Sequence, residues 1–475
     1  MADKIPPLKN QIRHRLLQRV VKGMDVILVT VPFAMSLFSY YLVNTEYTIH
    51  FWPGWLVVGL FAFLYYFFAH LYSGFLLHLS RISELVYAQT LALILTNVFL
   101  YFVICLLLNR FVSVIPTLQS MIVEEIIAMC WCFLAHQWYF KRYERKKTAI
   151  VWDQREGLEQ LIRQYQMDKH FEVVTIISAK DCIESDFALL KGIEVVFYSG
   201  VHSFDRNAIL KYCIENRIVS YIIPRIGDVI MSGATNMHLL HLPIQMVERF
   251  NPTPEYVIGK RIFDVVSSVC VLVVLSPLLL VIAIIIKCTD GGTVFYKQTR
   301  LTKDGKEFEV LKFRSMRMDA EKDGVARLSS GENDPRITPI GRFIRKCRID
   351  EFPQLINIIK GDMSVVGPRP ERPEISKQYE EEMPEFHLRL QVKAGLTGYA
   401  QVFGKYNTSP YDKLLMDLMY IARPSLAEDF KIVFATLKIL FLSESTEGVA
   451  VGATTAMDYE NAADSTENDT ETAVK

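Results

Sequence analysis

Two adjacent carboxylates, Asp350 and Glu351, close a cationic segment that reads GRFIRKCRIDE from Gly341 and carries Arg342, Arg345, Lys346 and Arg348. Upstream, Phe308–Met316 reads FEVLKFRSM. Cations there alternate with apolar residues, which predicts a strand that buries one face and presents Lys312 and Arg314 on the other. Downstream, GDMSVVGPRP runs from Gly361 to Pro370. Its glycines and prolines predict a rigid turn that holds Asp362 and Arg369 in defined positions. Together these residue types suit phosphoryl transfer, which needs carboxylates for a divalent ion, cations around the phosphates and a nucleophile. Magnesium prefers hard oxygen ligands, with one or two carboxylates per ion. Neighbours on a helix point about 100° apart. Asp350 and Glu351 therefore cannot play identical roles, yet both can reach one site. One can attack phosphorus while the other holds the metal, and the spacing does not say which. An Asp-Glu dipeptide alone is common on solvated helix faces, so its surroundings carry the weight.

The elements that must position this segment begin with membrane helices. The chain has 475 residues, half of them hydrophobic, and its mean hydropathy is +0.20. Four apolar runs occupy the first 140 residues: Met24–Val43, Phe51–Tyr72, Val86–Leu108 and Ser120–Phe140. Each is long enough to cross about 30 Å of hydrocarbon as a helix. The first is too long, and lacks a small-residue cleavage site, to be a removed leader. Lys4, Lys9, Arg13, Arg15, Arg19 and Lys22 precede the first run, and Lys141, Arg142, Arg145, Lys146 and Lys147 follow the fourth. Basic flanks stay in the cytoplasm, so both ends of a four-helix region over 1–147 are placed there. Glu124 and Glu125 in the fourth run are assigned to the outer interface, with a polar site inside the membrane as the alternative. Charge is balanced, with 52 basic and 52 acidic residues, and gives no field for nucleic acid. Eight scattered cysteines without zinc-ligand spacing read as reduced thiols.

Residues 148–250 alternate short strands and helices, which predicts a small doubly wound, Rossmann-like α/β module. Expected strands include Thr148–Trp152, Glu172–Ile177 and Glu194–Tyr198, with further apolar runs at Val219–Ile223 and Leu239–Val247. Only one glycine, Gly157, stands in the turn after the first strand, which argues against dinucleotide binding. Next, 262–286 is apolar and long enough to span. Lys260 and Arg261 precede it, Lys287 follows it, and Ser276-Pro277 stands near its middle. Proline removes a backbone donor, so a kink is expected there, and the segment either dips into one leaflet and returns or crosses as an ordinary kinked span.

The text KRIFDVVSSVCVLVVLSPLLLVIAIIIK, then FYKQTRLTKDGKEFEVLKFRSMR, then DEFPQLINIIKGDMSVVGPRP, then KAGLTGYAQVFG occurs in that order. At these residues the sequence resembles the bacterial sugar transferases, polyprenyl-phosphate hexose-1-phosphate transferases of the monotopic phosphoglycosyl transferase type, over roughly 260–442. The upstream layout resembles the family's large form. The resemblance implies a mainly α catalytic domain whose re-entrant membrane helix, 262–286, breaks at Ser276 and Pro277. It implies that Asp350 is the nucleophile and that Glu351 helps hold Mg²⁺. Arg345 matches a phosphate-contacting position, and Arg369 lies in the Pro-Arg-Pro loop that faces the site. Asp350 would attack the phosphate next to the sugar of a UDP-sugar, UMP would leave, and polyprenyl phosphate would accept the sugar phosphate. Phe352-Pro353 replaces the commoner Leu-Pro, and the module lacks the Gly-rich turn of some large members.

The expectation is thus a multi-pass protein of a bacterial inner membrane with its catalytic domain on the cytoplasmic face. It would initiate exopolysaccharide, capsule or O-antigen synthesis, with a UDP-sugar and a polyprenyl phosphate as partners and no nucleic acid. Homo-oligomerisation, the sugar and the polymer stay open. The alternative is an inactive membrane scaffold or sensor in polysaccharide assembly; the intact Asp350-Glu351 pair with Lys312, Arg345 and Arg369 argues against it. Residues 443–475 hold eight acids and one lysine and are expected to be a disordered tail.

Overall fold

The computed structural model describes residues 8–43, 51–77, 80–143, 145–153, 157–164, 167–317, 336–404 and 408–440. The acidic tail, residues 44–50 and Lys4 lie outside the described residues. The chain divides into two compact units, residues 1–223 and 224–475.

The first unit opens with four long helices: α1 (Leu8–Ser36, widening into a π-type turn over Leu37–Tyr41), α2 (Phe51–Leu71), α3 (Ile82–Leu107) and α4 (Ile115–Arg142). Large apolar side chains such as Leu56, Phe63, Leu106 and Ile122 point outward. Water would penalise so broad an apolar band, whereas hydrocarbon accepts it. Between the helices, Phe33 stacks on Phe61 with ring centroids 4.3 Å apart. The interior also holds polar groups. Tyr65 donates to Asp25 at 2.8 Å, and Gln89 donates to the Gly74 carbonyl at 3.1 Å. Glu124 is fully buried and accepts from Asn97 at 2.6 Å, and Thr90 donates to Glu125. Of the two settings expected for Glu124, the polar one inside the bundle is found. Polar partners on α3 take the place of interfacial water, which is the condition for a carboxyl group inside a bundle.

Among the described residues of this unit, β1 (Lys146–Trp152), α5 (Leu158–Gln164), β2 (Phe171–Ser178), α6 (Ala179–Glu184), β3 (Val195–Ser199), α7 (Ser203–Glu215) and β4 (Val219–Ile222) follow in order. The strands form a parallel sheet in the order β2-β1-β3-β4. The chain therefore leaves β1 first to one side and then to the other, which is a doubly wound topology. Ala149, Val151, Val196 and Tyr198 pack one face against Cys182 of α6 and Ile209 and Cys213 of α7.

The second unit begins with α8 (Ile226–Ser232). The apolar run Leu239–Val247, expected within the α/β module, falls instead in an antiparallel hairpin, β5 (Thr235–Leu239) and β6 (Leu242–Met246), whose strands pair with each other and not with the sheet. Then comes α9 (Pro254–Asp290), 37 residues long. Thr253 caps it by accepting from the Tyr256 amide, Pro254 fills its first position, and Gly291 at φ +69° ends it. The remaining elements are β7 (Phe295–Leu301), β8 (Glu307–Phe313), α10 (Pro339–Lys346), α11 (Gln354–Lys360), β9 (Ser364–Val366), α12 (Pro373–Glu382), β10 (Gly395–Thr397), α13 (Tyr399–Phe403), α14 (Pro410–Ala422) and α15 (Leu426–Leu440). β7 and β8 form an antiparallel hairpin, and β9 pairs with β10 in parallel.

Five helices among the described residues are long and apolar enough to cross a membrane, and α9 is one of them. It stays helical through Pro277. Pro277 has no N–H to give the Val273 carbonyl one turn back, and the Ser276 hydroxyl donates to that carbonyl at 2.8 Å instead. Most of α9 is uncovered by protein. The exceptions anchor it: Ile282 and Ile286 pack on Phe313, Ile344 and Ile349, while buried Asp264 accepts from Ser364 Oγ at 3.1 Å and the Val365 amide at 2.9 Å.

Candidate active site

The carboxylate pair sits in a tight turn, not on an α-helix. Thr338 caps α10 by accepting from the Gly341 amide at 3.0 Å. Any side chain at Gly341 would come within 2.0 Å of the Ser315 carbonyl oxygen, so glycine lets α10 lie against the chain just beyond β8. Arg348 then takes a left-handed conformation (φ +54°) and Ile349–Glu351 form a single 3₁₀ turn before α11. Successive side chains on such a turn diverge by about 120°, wider than the α-helical angle expected from the sequence. Ile349 points down into the cluster with Ile282 and Ile286 of α9. The pair is thereby seated directly on the most apolar helix of the second unit.

Two anchors fix what faces the turn. Asn357 of α11 donates to the Glu309 carbonyl at 2.8 Å and accepts from the Leu311 amide at 3.0 Å, which locks α11 to β8. Arg261 of α9 donates to the Ile358 and Ile359 carbonyls, each at 2.7 Å. This satisfies the orphan acceptors at the end of α11, where Gly361 (φ +100°) turns the chain. The clean division of β8 into an apolar and a cationic face does not occur. Val310, on the same side as Lys312, packs on Leu355 and Ile358, while Phe313, on the other side, packs on α9 and α10. Both faces of the strand are covered, and Lys312 emerges at the end of the face that meets α11.

There Lys312 Nζ lies 3.1 Å from Glu351 Oε1, and Arg369 Nη2 lies 3.1 Å from the same oxygen. A small open pocket is lined by Arg300, Lys312, Glu351, Gln354, Arg369 and Gly395. The two carboxyls are driven apart electrostatically. Burial, then the charge of Glu351, raises the Asp350 pKa above the ordinary carboxylate range, and Lys312, Arg345 and Arg369 offset this only in part. Burial opposes the charge on Glu351 too, but Lys312, Arg369 and Arg348 outweigh it and hold its pKa well below that range. One carboxylate is a fixed anion and its neighbour is easily protonated.

Of the residues singled out from sequence, Lys312, Glu351 and Arg369 are in direct contact, with Asp350 beside them and Arg345 close enough to act on its charge. Arg314 lies outside this ion-paired group. It is buried just past β8, with its amide donating to the Val294 carbonyl at 2.9 Å. Ser276 and Pro277 lie mid-helix in α9. Sequence reasoning missed Arg300 and Gln354. The signal for Arg300 was the β7–β8 register: Arg300 pairs with Phe308 and Tyr296 with Lys312, so Arg300 and Lys312 share a face. The signal for Gln354 was only its place three residues after Glu351.

A magnesium ion would find two adjacent carboxylates here. Among the described residues there is no cluster of three or more His, Cys, Asp or Glu side chains suited to a metal. Magnesium typically binds one or two carboxylates and completes its shell with substrate phosphate and water, so the donor set fits.

The site is thus a carboxylate pair edged by cations and mounted on a long apolar helix. Residues 255–443 match the model of the family described as bacterial sugar transferase. The chain is 42% identical over 200 residues to the exopolysaccharide production protein PSS of Rhizobium leguminosarum bv. phaseoli, a match covering 40% of this chain and 96% of that protein. It is 36% identical over 234 residues to a UDP-N-acetylgalactosamine-undecaprenyl-phosphate N-acetylgalactosaminephosphotransferase of Aeromonas hydrophila, covering 49% and 54%. It is 38% identical over 212 residues to the UDP-glucose:undecaprenyl-phosphate glucose-1-phosphate transferase of Escherichia coli K12, covering 44% of each. The match thus spans about half the length of these last two relatives. The chain belongs to the bacterial sugar transferase family.

Proposed function

We propose that this protein transfers a hexose-1-phosphate from a UDP-sugar to undecaprenyl or another polyprenyl phosphate, releasing UMP, and so begins a lipid-linked polysaccharide. The observation that carries this reading is the unequal carboxylate pair: Glu351 held as an anion by Lys312 and Arg369, next to an Asp350 whose charge is poorly stabilised. An anion in a poorly stabilising site is a reactive one. An Asp350 oxygen attacks the phosphorus next to the sugar, and the bond from that phosphorus to the UMP oxygen breaks. A phosphate oxygen of the polyprenyl carrier then attacks the same phosphorus, and Asp350 leaves as a carboxylate. Lys312, Arg345 and Arg369 offer positive charge to the phosphate oxygens, and Glu351 fixes Lys312 and Arg369 in place. Glu351 and Asp350 would hold Mg²⁺, which when bound neutralises the pyrophosphate charge.

Membrane placement follows the same chemistry. The donor is water-soluble and the acceptor is anchored in lipid, so the site must meet both. The Ser276 hydroxyl takes the carbonyl that Pro277 orphans and so lets α9 bend at the proline while staying helical, and Lys260, Arg261 and Lys287 favour one aqueous side for both its ends. We read α9 as re-entrant in the inner membrane, α1 to α4 as four spans, and the catalytic unit as cytoplasmic. Membranes carrying the chain, given UDP-sugars and polyprenyl phosphate, should release UMP and form a lipid-linked sugar. Release of UDP instead would indicate a conventional sugar transfer, and no turnover with any donor would favour a scaffold.

A further inference from the structure

Against the Pro-Arg-Pro loop lies a second charged group. Arg389, in a 3₁₀ segment over Pro384–Gln391, is almost fully buried. Its Nη2 donates to the main-chain carbonyl of Arg369 at 2.9 Å and meets Asp417 Oδ2 at 2.8 Å, and its Nη1 lies 3.7 Å from Glu371 Oε1. Its guanidinium stacks over the Phe386 ring at 4.8 Å. Asp417 comes from α14 and is also buried. From β7, Arg300 Nη1 donates to the Pro370 carbonyl at 3.0 Å and lies 3.8 Å from Glu371. Two consecutive carbonyls of the loop are therefore each gripped by an arginine from a different element.

The costs of this arrangement make a purely incidental origin unattractive. A buried ion pair recovers its desolvation only with good geometry and further hydrogen bonds, and an apolar pair of the same volume is often as stable. What Arg389 adds that an apolar residue could not is a directional hold on the Arg369 backbone. Pro368 and Pro370 fix φ on either side, so a grip on the two carbonyls sets the direction in which the Arg369 side chain leaves the loop. That side chain ends on Glu351 Oε1.

Building on the function proposed above, we infer that Arg389, itself oriented by Asp417, is a positioning residue that aims Arg369 at Glu351 and at the substrate phosphate. It touches neither substrate nor metal and acts only through Arg369.

The test uses the full chain in membranes and measures kcat and KM for the UDP-sugar. Arg389→Met alone would strand the Asp417 charge, so the charge-neutral double change Arg389→Met with Asp417→Asn is used, together with Arg389→Lys, which keeps the charge but lacks the planar fork that lies over Phe386 and faces Glu371 as well as the Arg369 carbonyl. Both are made with Arg369 present and again in an Arg369→Ala background. Misplacing a reacting group by about an ångström costs up to about a hundredfold. With Arg369 present, the double variant should lose about tenfold to a hundredfold in kcat while KM changes less than about threefold, and Arg389→Lys should fall between it and the unaltered chain. In the Arg369→Ala background neither change should lower kcat further. An equal loss in both backgrounds would show a merely structural role, and an undiminished kcat with Arg369 present would overturn the inference outright. Failure of the unaltered chain to release UMP from any donor would instead overturn the proposed function.

Discussion

At the scale of the residue, the unequal pair makes sharp predictions. Glu351→Gln removes the anion that two cations share, so Lys312 and Arg369 should lose their fixed geometry. The expected loss in kcat is about a hundredfold to a thousandfold, the usual cost of removing one preorganised electrostatic group. Asp350 must be ionised to attack. Its pKa is raised, so activity is fully present above that raised value and falls as pH drops through it. The acid limb of kcat/KM should therefore lie near the raised value of about 6, not at the ordinary carboxylate value of ~4. In Lys312→Met, which removes a charge that favours ionised Asp350, the limb should move to higher pH. A limb that stays put would remove Lys312 from the site. Asp350, Glu351, Lys312 and Arg369 were legible as a group because their types suit phosphoryl transfer and their motifs resemble those of a family, which also implied the roles of the two carboxylates. Their mutual contacts of about 3 Å were not legible, because α11 and β8 set them. Arg314 shows the limit: its alternation with Lys312 suggested a shared face, but the strand ends at Phe313 and Arg314 is buried beyond it.

At the scale of the element, the site depends on close backbone contact. β9 and β10 approach so tightly that a Cβ at Gly395 would lie 2.1 Å from the Gly367 nitrogen. Backbone cannot give way as a flexible side chain can. Gly395→Ala should cost about 1–3 kcal/mol by overpacking, read as lowered thermal stability of the purified chain, and should disturb the adjoining Pro-Arg-Pro loop. The glycines and prolines of this segment announced a rigid turn in the sequence, but the partner strand that makes the rigidity necessary was invisible to local pattern. The same holds for α9. Its length, its flanking cations and Pro277 could be read directly, whereas its seat could not. That seat is made by single polar residues, Arg261 and Asp264, within or beside an apolar run. The doubly wound order of β1 to β4 followed from alternation, while the separate β5–β6 hairpin did not, since an apolar run of that length fits either setting.

At the scale of the whole molecule, the proposed topology puts both ends of α9 on the cytoplasmic side. Single-cysteine chains carrying either Thr253→Cys or the native Cys288 should both react with a membrane-impermeant maleimide only after the cytoplasmic side is exposed. Labelling of the two from opposite sides would make α9 an ordinary span. The buried carboxyls Asp25 and Glu124 of the first unit show how far composition alone can reach there: it located the apolar runs but not the polar interior they enclose. The central claim concerns Asp350 as the group that carries the sugar phosphate. Its most direct test is incubation of the purified chain with a UDP-sugar labelled in the sugar-proximal phosphate, without lipid acceptor, followed by mass analysis of the peptide containing Asp350. The prediction is a stoichiometric sugar-phosphate adduct on Asp350, matched by released UMP, lost on adding polyprenyl phosphate and absent in Asp350→Asn. Label on another residue, or lipid-linked product from Asp350→Asn at the unaltered rate, would contradict it.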